Sequence, residues 1–168
     1  DMTSIESGQR QRAIATVELG DLARQAAENV RGEAARRGVA IELDVPEGAR
    51  MEADRAEIEM IFNNLVSNAV KYNRDQGRVA VTVTESGDEV RVQVEDSGIG
   101  MTQEETQRLF SDFSRIKNEK TRNILGSGLG LSTLKKIVTL YGGEVTVKSR
   151  PDVGSTFTVT LRRNAKAA

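Results

Sequence analysis

Asn64 and Asn68 stand four residues apart, and Lys71 lies one turn further on, in the run Phe62-Asn-Asn-Leu-Val-Ser-Asn-Ala-Val-Lys-Tyr72. On a helix these three side chains share a face. Asparagine is a poor helix former, so two of them at this spacing invite a functional explanation. An amide oxygen is a suitable hard ligand for Mg²⁺, and a lysine offers phosphate a point charge. A second stretch, Asp96-x-Gly98-x-Gly100, directly follows a strand pattern. A carboxylate at a strand end can accept a hydrogen bond from an exocyclic amine such as adenine N6, and glycines let backbone approach a flat ring. The third stretch, Gly126-Ser127-Gly128-Leu129-Gly130-Leu131, opens a helix pattern. Glycines there expose backbone N–H groups at a helix N-terminus, which favours anions. Each stretch alone also fits a plainer reading: a solvated helix face, a tight turn and a flexible hinge. The third matches neither common phosphate-loop fingerprint. It also follows a long polar loop rather than a strand, which argues against a dinucleotide-binding βαβ unit.

The surrounding pattern indicates what must position these stretches. From Val17 to Arg37 the apolar residues Leu19, Leu22, Ala23, Ala26, Val30 and Ala34 recur at helical spacing, with Gly38 as a C-cap. Val39–Val45 alternates as a strand with one buried face, and Pro46-Glu47-Gly48 ends it. Asp54, with Glu57 three residues later, has capping-box spacing and opens a second helix whose inner stripe is Ile58, Ile61, Phe62, Leu65, Ala69 and Tyr72. Val79–Thr84 and Glu89–Glu95 form a hairpin around Ser86-Gly87-Asp88. A polar stretch from Met101 to Leu125 contains a short helix opened by Thr102 and Glu105. Leu131, Leu134, Ile137, Val138 and Tyr141 mark a third main helix, ended by Gly142-Gly143. A last hairpin pairs Glu144–Ser149 with Ser155–Leu161, and Arg162–Ala168 reads as a polar, frayed tail. Helices and hairpins segregate, so the expected class is α+β: three main helices on one face of a mixed, mostly antiparallel sheet of about five strands.

Composition bounds the chemistry further. At 168 residues and 38% hydrophobic, the chain can bury one core. A formal net charge of −1 does not suggest a nucleic-acid binder, which would be distinctly basic. There is no cysteine and no histidine. Disulfides, thiolate or imidazole metal sites, a histidine base and phosphohistidine formation within this chain are therefore all excluded. No apolar run approaches the roughly 20 residues of a membrane span, and no signal peptide is visible.

Taken in order, the asparagine-rich helix, the hairpin, Asp-x-Gly-x-Gly, a phenylalanine-containing loop, Gly-x-Gly-x-Gly and Gly154-Ser-Thr-Phe157 form a far more specific pattern than any one of them. From about residue 16 to 162 the chain resembles the catalytic ATP-binding domain of bacterial two-component histidine kinases. That family shares the Bergerat nucleotide fold, a two-layer α/β sandwich with a mobile ATP lid, with gyrase, the mismatch-repair ATPase MutL and the heat-shock chaperone ATPases. The resemblance implies ATP (or ADP) and Mg²⁺ as ligands. It makes Asn68 the Mg²⁺ ligand and puts Asn64 and Lys71 beside the phosphates and Tyr72 near the nucleotide. Asp96 becomes the reader of adenine, with Gly98, Gly100 and Met101 in the first glycine box. Phe110 and Phe113 fall in the lid, and Arg115 becomes the best lid cation for the γ-phosphate, ahead of Lys117, Lys120 and Arg122. Gly126, Ser127, Gly128, Leu129, Gly130 and Leu131 would line the phosphates, and Ser155 would add a hydroxyl near Asp96. Tyr72, Phe110, Phe113 and Ser155 have packing roles as alternatives.

The implied reaction is transfer of the γ-phosphoryl group to a histidine on a dimerisation domain, for relay to the receiver domain of a response regulator. Such transfers rest on positioning and charge neutralisation. Gyrase-like members carry a glutamate where this chain has Asn64. An asparagine cannot act as that base, which disfavours hydrolysis. Residues 1–12 resemble the end of the histidine-bearing hairpin, 13–163 the catalytic domain and 164–168 a tail. On this reading the fragment is monomeric and cytoplasmic, makes no membrane contact and does not autophosphorylate, while its parent is a homodimer. A degenerate interaction module and a gyrase- or chaperone-type ATPase fragment are the alternatives.

Overall fold

The structure is a computed structural model that describes residues 12–108 and 129–163. Its elements in chain order are β1 (Ile14–Glu18), α1 (Leu19–Asn29), α2 (Arg31–Arg37), β2 (Ala40–Asp44), β3 (Arg50–Asp54), α3 (Arg55–Lys71), β4 (Arg78–Ser86), β5 (Glu89–Asp96), α4 (Gln103–Arg108), α5 (Leu129–Leu140), β6 (Glu144–Arg150) and β7 (Gly154–Arg162). Five strands make one sheet in the order β2-β4-β5-β7-β6, parallel between β2 and β4 and antiparallel elsewhere. Strands β1 and β3 pair antiparallel in a separate ribbon. The expected α+β class with a five-stranded mixed sheet is what the chain forms.

Alternation explains the layering. Val79, Val81 and Val83 of β4, Val90, Val92 and Val94 of β5, and Val159 and Leu161 of β7 are buried, whereas Thr84, Arg91, Gln93 and Glu95 are exposed. One sheet face thus meets the helices and the other meets water. On the helical side α3 buries Ile58, Ile61, Phe62, Leu65, Val66, Ala69 and Val70, and α5 buries Leu134, Ile137 and Val138. Apart from Ala69, each such side chain contributes roughly 1.5–3 kcal/mol when fully buried. Among the described residues no helix is long and apolar enough to cross a membrane.

Three sequence-based expectations are corrected. The single helix over Val17–Arg37 is instead strand β1 followed by two helices. They break at Val30, whose φ of −109° and ψ of 6° are not helical, where Asn29, a β-branched residue and Gly32 weaken helix propensity together. Gly38 is the left-handed C-cap expected, at φ 70°. Strand β3 was not anticipated; its pairing with β1 is long-range, and only Met51, Ala53 and Asp54 of its five residues are buried. The Asp54–Glu57 box is half formed. Asp54 accepts from the N–H groups of Ala56 (3.0 Å) and Glu57 (3.3 Å), but its own N–H donates to the Tyr141 hydroxyl (3.0 Å). The Glu57 carboxylate turns to Arg12 and Tyr141. The Thr102–Glu105 box, by contrast, forms both ways, at 2.8 and 3.1 Å.

Candidate nucleotide site

The buried stripe of α3 faces the core, which leaves Asn63, Asn64, Ser67, Asn68 and Lys71 half-buried along its flank. Among the described residues the side-chain amides of Asn64 and Asn68 have no hydrogen-bond partner, and Lys71 has no ion pair. Half-buried amides that no protein group occupies meet solvent, and a ligand can take the place of that water.

Two contacts carry this helix to the first glycine box. Tyr72, the half-buried residue that caps α3, accepts through its carbonyl from the N–H of Ile99 at 3.1 Å. Gly98 lies flat against the same carbonyl: a side chain there would collide with the Tyr72 oxygen and with Asp96. Gly100 adopts φ 67° against the Arg150 carbonyl, so it too has no room for a Cβ.

Asp96 ends β5, directly opposite Ser155 of β7. Its Oδ1 accepts from the N–H of Gly98 at 2.8 Å and of Ser155 at 3.3 Å. The carboxyl is pushed from its ordinary 3.8 up to about 6. Burial is the main cause; the two N–H donors act in the opposite direction, and neighbouring Glu95 adds to the rise. Ser155 is buried and its hydroxyl meets that of Ser149 at 2.7 Å, while Ser149 Oγ also accepts from the Met101 N–H at 2.8 Å. A cavity of about 520 Å³ opens at these strand ends on the solvent-facing side of the sheet, where Asp96 and Ser155 line it with Glu42, Arg78, Glu95 and Lys148; no residue of α3 lines it.

Helix α5 begins at Leu129 and Gly130, and Leu131 packs against the core. Its far end is pinned by the fully buried Tyr141, whose hydroxyl donates to Glu57 at 2.5 Å. Burial, then Glu57, pushes the Tyr141 phenol up to about 12, so it stays protonated and able to donate. Arg12 completes this cluster. It contacts Glu57 at 3.0 Å, its guanidinium lies 5.2 Å from the Tyr141 ring centre, and the Glu57 hydrogen bond raises its own pKa.

The structure joins Tyr72, Asp96, Gly98, Gly100, Met101 and Ser155 at one junction and sets Asn64, Asn68 and Lys71 along the flank of the helix that leads to it. Of the remaining expected residues, Phe110, Phe113, Arg115, Lys117, Lys120, Arg122, Gly126, Ser127 and Gly128 lie outside the described residues. Ser149 and the Arg12–Glu57–Tyr141 cluster were not read from the sequence. A serine opposite Ser155 becomes meaningful only once the β6–β7 register is known.

A matching family model, the histidine kinase-, DNA gyrase B-, and HSP90-like ATPases, covers residues 53–165. The chain belongs to that family. It is 32% identical over 165 residues to a non-motile and phage-resistance protein of Caulobacter vibrioides, covering 96% of this chain and 20% of that protein. It is 35% identical over 164 residues to the circadian input-output histidine kinase CikA of Synechococcus elongatus, covering 96% and 22%. The chain thus spans about a fifth of the length of these relatives. In three dimensions it matches the catalytic domain of histidine kinase ThkA with a TM-score of 0.81 at 26% identity, over 93% of this chain and 99% of that one. Full-length ShkA solved with AMPPNP gives a TM-score of 0.81 at 26% identity, over 95% and 33%.

Proposed function

We propose that this chain is the ATP-binding catalytic domain of a sensor histidine kinase, moving the γ-phosphoryl group of MgATP to a histidine on another domain. The observation that carries the reading is the flank of α3: two half-buried, unpartnered asparagine amides and a lysine, tied through Tyr72 to the loop that holds Asp96. On this reading Asp96 accepts from the exocyclic amine of adenine, and Gly98, Gly100, Met101 and Ser155 shape the walls around the base. Asn64 and Lys71 face the phosphates. Backbone N–H groups of the first turn of α5, Leu129, Gly130 and Leu131, meet phosphate oxygens, joined by Gly126, Ser127 and Gly128. Tyr72 and Phe110 flank the nucleotide, and Arg115 is the lid cation.

A Mg²⁺ ion fits the donor set. Among the described residues no cluster of three acidic side chains exists to cage a metal, and Mg²⁺ characteristically combines one or two protein oxygens with phosphates and water. Asn68 would hold it, and when bound it would neutralise developing charge on the phosphates.

Several observations favour transfer over hydrolysis. Asn64 offers no base. Glu57 is locked by Arg12 and Tyr141 in the first turn of α3, and Glu59 pairs with Arg55 at 3.0 Å. Glu57 is buried and held by two partners, and Glu59 lies more than a turn before Asn64 on the helix. The chain has no histidine of its own, so the acceptor must come from a separate dimerisation domain. A receiver domain as onward acceptor, a homodimeric parent and a cytoplasmic location complete the proposal. The test mixes the chain with the histidine-bearing domain of its parent and γ-labelled ATP. Label on that domain, abolished when its histidine is replaced, supports transfer. Steady release of free phosphate with no labelled protein refutes it.

A further inference from the structure

Arg74 lies three residues beyond the end of α3 and has no part in the proposed chemistry, yet its side chain binds three separate carbonyls. Nε donates to Ser97 O at 2.6 Å, and Nη2 donates to Gly98 O at 3.2 Å and to Asp152 O. The first two belong to the glycine box and the third to the β6–β7 turn. A backbone bond, Asp152 N–H to Ile99 O at 2.7 Å, closes the same junction. The base of the arginine is itself held. Asn73, only 4% exposed, accepts from Arg74 N–H at 2.9 Å and from Ser97 Oγ at 3.3 Å, and donates to Arg78 O at 3.0 Å. Arg37 donates to Val70 O at 2.6 Å, to Lys71 O at 3.2 Å and to Asn73 O, fastening the end of α3 just before.

The consequence falls on Asp96. Its carboxylate is oriented by two backbone donors, Gly98 and Ser155. Gly98 is one of the residues whose carbonyl Arg74 holds, and Ser155 follows Asp152 by three residues through a turn that passes φ 64° at Asp152 and φ 139° at Gly154. A planar guanidinium fork can fix three carbonyls at once; an ammonium cannot reproduce that geometry. We propose that Arg74 is a positioning residue for nucleobase selectivity, fixing the glycine box and the β6–β7 turn so that both donors of the Asp96 carboxylate stay in place. The inference rests on the reading of Asp96 given above. It predicts that Arg74 acts on the base and not on the phosphates, since its contacts all lie at the Asp96 end.

The test compares Mg-AMPPNP, Mg-GMPPNP and Mg-tripolyphosphate binding by calorimetry in the wild-type chain, Arg74→Ala and Arg74→Lys. Losing the fork lowers the adenine-over-guanine ratio about tenfold, about 1.4 kcal/mol of discrimination. Tripolyphosphate affinity stays unchanged, and Lys behaves closer to Ala than to Arg. In the free protein, the amide resonances of Gly98 and Ser155 follow the Asp96 titration in the wild type and lose that shared response in the variants. A retained base ratio overturns the inference, as does an equal loss for all three ligands, which marks general destabilisation. Should Arg74→Ala not fold, Arg74→Lys carries the same comparison. No adenine preference in the wild type overturns the reading of Asp96 itself, a failure separable from that of Arg74.

Discussion

Replacing Asp96 by asparagine should make the free domain more stable at neutral pH while weakening its hold on adenine nucleotides. The carboxyl is raised from 3.8 to about 6, chiefly by burial. A raised folded-state value means that the native state binds the proton more tightly than the unfolded chain. Stability from this group is therefore fully present below about pH 4 and is lost as pH rises towards 6. With about 1.4 kcal/mol per pH unit, a rise of roughly two units amounts to about 3 kcal/mol by pH 7. The asparagine Oδ1 can accept the same two N–H groups, from Gly98 and Ser155, without a buried charge. Urea unfolding of both proteins between pH 4 and 8 provides the assay. The asparagine variant gains an advantage of up to about 3 kcal/mol at pH 7 that shrinks towards zero near pH 4. A variant less stable than wild type at pH 7, or a difference that ignores pH, would refute the reasoning. Nucleotide affinity of the wild type moves the opposite way, rising from pH 5 to 7 as the carboxylate becomes the acceptor the base needs.

Three further perturbations probe the rest of the molecule. Arg12→Ala leaves Glu57, 1% exposed, without its arginine, and should cost about 3 kcal/mol in urea unfolding, whereas Arg12→Met with Glu57→Leu costs less because no charge remains buried. Gly98→Ala forces a methyl group onto the Tyr72 carbonyl; calorimetry should find nucleotide binding lost even where the domain remains folded by circular dichroism. In the wild type EDTA should weaken AMPPNP binding measured by calorimetry, and Asn68→Ala should abolish that dependence on Mg²⁺.

Much of this architecture could be read from the sequence because the signals are local. The α3 stripe of Ile58, Ile61, Phe62, Leu65 and Ala69 and the valine alternation of β4 and β5 follow from helix and strand periods alone. The Thr102–Glu105 box follows from the preferences of a helix N-terminus. The motif residues on α3 and the Asp96 loop could be found because spacing on one element, or adjacency to one strand end, is visible in a single sequence. What escaped depends on distant partners. Strands β1 and β3 are short and stabilise each other across more than thirty intervening positions. Glu57 looked like half of a capping box because its true partners, Arg12 and Tyr141, lie 45 and 84 residues away. Ser149 and Arg74 resemble ordinary strand and loop residues until the register of β7 and the path of the Asp152 turn bring carbonyls and hydroxyls to them.

The central claim, a site that holds adenine at Asp96 and phosphate along α3, is tested most directly by titrating the chain with Mg-AMPPNP and repeating the titration with Asp96→Asn. Measurable saturable binding in the wild type, strongly weakened in the variant although that variant is the more stable protein at pH 7, is the predicted result. Absence of binding in the folded wild-type chain, or equal affinity in both proteins, would contradict it.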